Sequence, residues 1–124
     1  GGEIARVMLS LKAMISGAVN LPTIIFDEID TGVSGAIATK MAMLMKEMAD
    51  AGRQVVAITH LPQIAAMGET HYKVEKEETD KGTISHMRRL DDKERLTAVA
   101  AMLSGDNITP AALENAKELL AARQ

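Results

Sequence analysis

The chain has 124 residues, with 14 Lys and Arg against 17 Asp and Glu for a formal net charge of −3. That length holds one domain or part of one, and 47% apolar with 25% charged residues excludes a disordered chain. The mildly acidic balance, with Phe26 and Tyr72 as the aromatic residues, excludes a basic nucleic-acid footprint and a base-stacking platform. Cysteine is absent, so disulfides and thiolate metal sites are excluded as well. No apolar stretch approaches the roughly 20 residues that a membrane span needs. The first residues carry neither an initiator Met nor a signal-peptide pattern, and the expectation is a piece of a longer polypeptide.

In chain order, Ile4, Val7, Met8, Leu11, Met14 and Ile15 recur at helical spacing and predict an amphipathic helix over 3–17, with Gly17 as its C-cap. Asn20-Leu21-Pro22 is a loop. Residues 23–27 form a short apolar run rich in Ile and Phe, which reads as a buried strand. Val33, Ile37, Met41, Leu44 and Met48 then make one stripe, predicting a helix over about 33–50 that Asp50-Ala51-Gly52 ends. Residues 54–59 are a second buried strand, and the strand-helix-strand order calls for a right-handed crossover and parallel pairing.

Pro62 suits the first turn of a short helix over roughly 62–67. Residues 71–76 and 83–90 read as an antiparallel hairpin joined by a polar turn over 77–82. Asp91 or Asp92 caps a helix running to about Leu103, which Ser104-Gly105 breaks. Thr109-Pro110 opens a last helix to about Ala122. The fold class is therefore α/β: a parallel βαβ core with flanking helices and an antiparallel edge hairpin. Nine methionines lie mostly on helical faces, where a core role is the default.

The chemistry concentrates where the first strand ends. Asp27-Glu28 places two carboxylates at the carboxyl end of a strand, where open α/β sheets bind ligands. This is the form of a Walker B motif, in which one acid holds Mg²⁺ and its neighbour polarises the water that attacks a γ-phosphate. Strand neighbours face opposite ways, so the strand must end near Asp27 for Glu28 to join the same site. Asp27 is then the metal residue and Glu28 the base. The plainer alternative is a strand that runs into an acidic surface turn.

His60 follows the second strand at the same sheet edge, where its imidazole would donate to a γ-phosphate oxygen. Taken alone it is more simply a solvated loop histidine; the matching place after a parallel strand favours the phosphate role. His71 and His86 fall on the hairpin and are expected as solvated strand positions, not as ligands of a three-histidine metal site. Gly1-Gly2-Glu3 leads into a helix whose exposed N–H groups suit a phosphate, although terminal glycines alone say little.

Together, Gly-Gly-Glu before a helix, a hydrophobic-Asp-Glu strand, the Asp30 turn and Thr59-His60 resemble the C-terminal lobe of a P-loop, ABC-type ATPase head. ABC transporters commonly carry Pro after the catalytic Glu, whereas Ile29-Asp30 stands here, as in the SMC-like branch. The runs DEIDTGVSG over 27–35 and ITHLPQIAAM over 58–67 are closely similar to SMC-like ATPases of bacterial double-strand-break repair. Residues 102–105 and 116–120 add to the likeness, which covers nearly the whole chain.

The resemblance implies a head built from both ends of a longer chain with a coiled coil between them, using ATP and Mg²⁺ when complete. It implies that Gly1, Gly2 and Glu3 are what remains of the signature motif facing the nucleotide of an opposite head. Asp27 and Glu28 become Walker B, Asp30 lies in the D-loop and His60 is the switch histidine. The implied partners are an N-terminal lobe, a second head in a homodimer and, through the full-length protein, DNA. The implied place is the bacterial cytoplasm at the nucleoid, with no membrane. Two departures stand out: no Leu-Ser precedes Gly1, and no Gly-x-x-x-x-Gly-Lys-Ser/Thr loop occurs in the 124 residues. Without that phosphate cradle the chain alone is expected to be inactive as an ATPase. The alternatives are another SMC or ABC head, or a non-catalytic interaction module whose acidic turn is structural.

Overall fold

Two strands, β1 (Thr23–Asp27) and β2 (Gln54–Ile58), lie parallel in the computed structural model of the chain, in register from Thr23 beside Gln54 to Asp27 beside Ile58. The structure describes residues 22–27, 33 and 35–123, so the helix expected over 3–17 lies outside the described residues. The crossover between the strands is α1 (Gly35–Asp50). Its Ala38, Met41, Ala42, Met45 and Met48 are buried, spaced three or four residues apart along one face. Alternation along β1 turns Ile24 and Phe26 onto that stripe, and Ile64 closes the cluster from the next helix. Burying each large side chain contributes about 1.5–3 kcal/mol. Three methionines of α1 thus serve the core, while its Met43 points outward.

Two boundaries and one burial pattern depart from expectation. β2 ends at Ile58 rather than Thr59, and α1 starts at Gly35, although Val33 still packs on the core just ahead of it. The strands are expected to be buried, yet among the described residues one face of the pair is left exposed. Ile25, Val56 and Ile58 share the opposite face, with Ile25 64% and Ile58 53% exposed. Parallel sheets are usually covered on both faces. Gly52, at φ 95°, makes the return from α1 to β2, its N–H donating to the Ala49 carbonyl at 3.0 Å.

The short α2 (Pro62–Met67) follows β2. Beyond it, α3 (Asp92–Ser104) and α4 (Pro110–Ala121) pack together and against α2 through a cluster of Ala66, Val99, Ala100, Ala112 and Ala116. The α3 cap is Asp91, not Asp92. Its carboxylate accepts from the Glu94 N–H at 2.7 Å, and the Glu94 carboxylate accepts from the Asp91 N–H at 3.2 Å. Thr109 caps α4 by accepting from the Ala112 N–H at 3.1 Å.

The hairpin, β3 (Tyr72–Thr79) and β4 (Gly82–Arg89), is longer than expected and forms a sheet of its own. The polar stretch 77–82 was expected to be turn throughout, but only Asp80 and Lys81 turn. Both faces of this hairpin are open to solvent, so polar residues cost nothing in its strands. Cross-strand contacts instead favour them: Glu77 meets His86 at 2.8 Å, and Glu78 accepts from Thr83 at 3.1 Å. His86 is solvated as expected, whereas His71 precedes β3 and is half-buried.

Candidate functional site at the carboxyl edge of the parallel pair

The parallel register sets this site. β1 ends on Asp27, directly beside Ile58, the last residue of β2. Neighbouring strands lie about 4.8 Å apart, so the Asp27 backbone is adjacent to the segment Thr59-His60 that leaves the same edge. Asp27 and His60 are both exposed there. The structure therefore places these two residues at the same sheet edge, Asp27 at the end of β1 and His60 two residues past the end of β2. Glu28, Asp30, Gly1, Gly2 and Glu3 lie outside the described residues.

The loop after β2 is tied to its helix. The Leu61 N–H donates to Thr59 Oγ1 at 3.0 Å, and the Ala65 N–H donates to the Leu61 carbonyl at 3.0 Å. Pro62 occupies the first turn of α2, where its missing N–H costs no hydrogen bond. On the α1 side, a Cβ at Gly35 would lie 3.5 Å from Gln63 Nε2, so the start of α1 and the first turn of α2 are in contact range.

No group of three or more potential ligands gathers among the described residues. Mg²⁺ needs no such cage: one or two carboxylates together with substrate phosphates and water suffice. An exposed Asp27 carboxylate at the strand end fits that donor set. A cleft of about 410 Å³ lies elsewhere, at the hairpin base between His71, Arg89, Asp92 and Arg95. Its lining mixes both signs of charge, and it includes neither Asp27 nor His60.

Sequence reasoning missed Arg95. This residue is 4% exposed and sends its guanidinium to the carbonyls at the C-terminal end of α2. Burial lowers its pKa, with the charge of Arg123 adding to the effect and Asp92 opposing it. The available signal was periodicity, because Arg95 stands one turn before buried Val99 on the inner face of α3.

No family profile matches the chain. It is 49% identical over 121 residues to DNA repair protein RecN of Deinococcus radiodurans, covering 98% of this chain and 21% of that protein. RecN of Bacillus subtilis is 42% identical over 120 residues, 97% of this chain and 21% of that protein. RecN of Haemophilus influenzae is 40% identical over the same shares. The chain thus spans about a fifth of the length of the curated relatives it matches. A solved structure from work on ATP-driven dimerisation and DNA-stimulated activation of SMC ATPases aligns with TM-score 0.57 at 20% identity. That alignment covers 75% of this chain and 55% of the other, and it establishes likeness of fold.

Proposed function

From a chain that matches DNA repair protein RecN along nearly its whole length, we propose the C-terminal lobe of an SMC-like ATPase head. In this reading the lobe belongs to a longer DNA-repair protein that binds and hydrolyses ATP in the bacterial cytoplasm at the nucleoid. The observation that carries the reading is the parallel register, which sets Asp27 beside the exit of β2 toward His60. An interaction module has no need of that alignment.

Each residue has a distinct task. Asp27 holds Mg²⁺, which when bound neutralises charge on the phosphates. The Glu28 carboxylate accepts the proton of the attacking water. His60 donates a hydrogen bond to a γ-phosphate oxygen, where negative charge is concentrated. Gly1, Gly2 and Glu3 present the signature end to the nucleotide of a second head, and Asp30 lies in the loop between the heads. The phosphate-binding Lys comes from an N-terminal lobe of the same polypeptide. The uncovered face of Ile25, Val56 and Ile58 supports such a lobe, since a two-stranded parallel sheet has little reason to expose it. DNA is engaged through the complete protein.

The test is Glu28→Gln in the full-length protein. The substitution keeps size and hydrogen bonding but removes the base. ATP binding is expected to persist and head–head engagement to lengthen, while turnover falls by about 10²–10⁴-fold. Unchanged turnover would overturn the assignment.

A further inference from the structure

Helix α2 begins two residues after His60; Ile64 and Ala66 bury its inner face, but its ends carry no side-chain cap or charge of their own. It is six residues long, Leu61 provides no side-chain cap, and its last turn carries no basic residue. An isolated helix of that length is not stable in water. The carbonyls at its C-terminal end are met from outside. Arg95 Nη2 donates to the Ala65 and Ala66 carbonyls at 3.1 Å each and to the Gly68 carbonyl, while Nη1 donates to Glu69 at 3.1 Å. Arg123, just past α4, donates to the Gly68 and Glu69 carbonyls at 3.1 and 3.2 Å. Two cations thus sit at the negative end of a helix that has none of its own.

We propose that Arg95, assisted by Arg123, is a positioning residue for His60. The inference rests on the phosphate-contacting role given to His60 above. Arg95 fixes the C-terminal end of α2, and the Thr59–Leu61–Ala65 hydrogen bonds make the loop move with the helix. α2 also bridges the two cores, placing Ile64 in the β1–α1 cluster and Ala66 in the α3–α4 cluster. The position of α3 and α4 therefore sets where the imidazole stands at the sheet edge. Lysine cannot replace this guanidinium, because one ammonium does not reach four carbonyls from a fixed fork.

A double-mutant cycle on ATP turnover in the full-length protein tests the inference, using Arg95→Met, His60→Ala and the double variant. Arg95→Met is expected to lower kcat about tenfold, as misplaced catalytic groups do, with KM for ATP nearly unchanged. In the His60→Ala background the same change is expected to cost less than about twofold. Arg95→Lys is expected to recover only part of the loss. An equal loss in both backgrounds, or none in either, would overturn the positioning role and leave that of His60 intact. A His60→Ala variant with normal kcat would overturn the role of His60, and this inference with it. If Arg95→Met does not fold, Arg123→Ala enters the same cycle, with the same coupling to His60 expected and additivity overturning it. Faster hydrogen exchange over residues 62–69 in the variant would accompany the coupled result.

Discussion

His71 shows how one buried ring ties stability to pH. Its Nδ1 is buried without a hydrogen-bond partner among the described residues. Burial first, and the positive charge of Arg95 second, hold its pKa below the usual 6.5. The folded state therefore favours the neutral ring. The resulting stability is complete above the unfolded value and is lost as pH falls below it toward the lowered folded value. Urea midpoints should drop between pH 7.5 and 5.5, and drop less in His71→Asn; equal drops would show that another group carries the dependence. At this scale the shared edge of Asp27 and His60 was legible in the sequence, because chain order and parallel pairing alone set it. Arg95 was not. Its partners are main-chain carbonyls 26 to 30 residues away, which carry no side-chain signature.

Helices and strands were legible where a cap or a period fixed them. The stripe of α1 and the Thr109-Pro110 start of α4 needed only local chemistry. Polarity does not locate the hairpin turn, because a ladder exposed on both faces imposes no polarity at all. Such a two-stranded unit is marginal in water. Here it is anchored where the Leu90 N–H donates to the His71 carbonyl at 2.9 Å and where Arg88 pairs with Glu94. The hydrogen bond from Arg88 lowers the pKa of Glu94, the residue that completes the α3 capping box. The other end of α3 depends on Gly105, whose φ of 77° an L side chain resists. Gly105→Ala should cost about 1–2 kcal/mol. An added Cβ meets nothing within 4 Å, so the loss would be backbone strain without a clash. A denaturation midpoint equal to that of the parent would contradict that view of the cap.

In the whole molecule, α2 stands between two cores of different composition. One is methionine-rich and packs against the parallel pair; the other is built of alanines and Val99 between α3 and α4. The sequence specified both helical faces, but it gave no means of telling that one face of each central strand would remain open. An apolar run such as Gln54–Ile58 reads as buried whether its cover lies in this chain or in another part of a longer one. The open face and the Asp27–His60 edge are consistent with the proposed function, in which this lobe would complete a nucleotide site with further polypeptide.

Calorimetric titration of the full-length protein with ADP and Mg²⁺ tests that account most directly. If Asp27 holds the metal as proposed, Asp27→Asn should weaken binding about tenfold or more, at least about 1.4 kcal/mol. His60→Ala removes a contact to a phosphate that ADP does not have, and should leave the affinity within about twofold of the parent. Equal losses in the two variants would contradict the separate metal and γ-phosphate roles and show that both substitutions act through the fold.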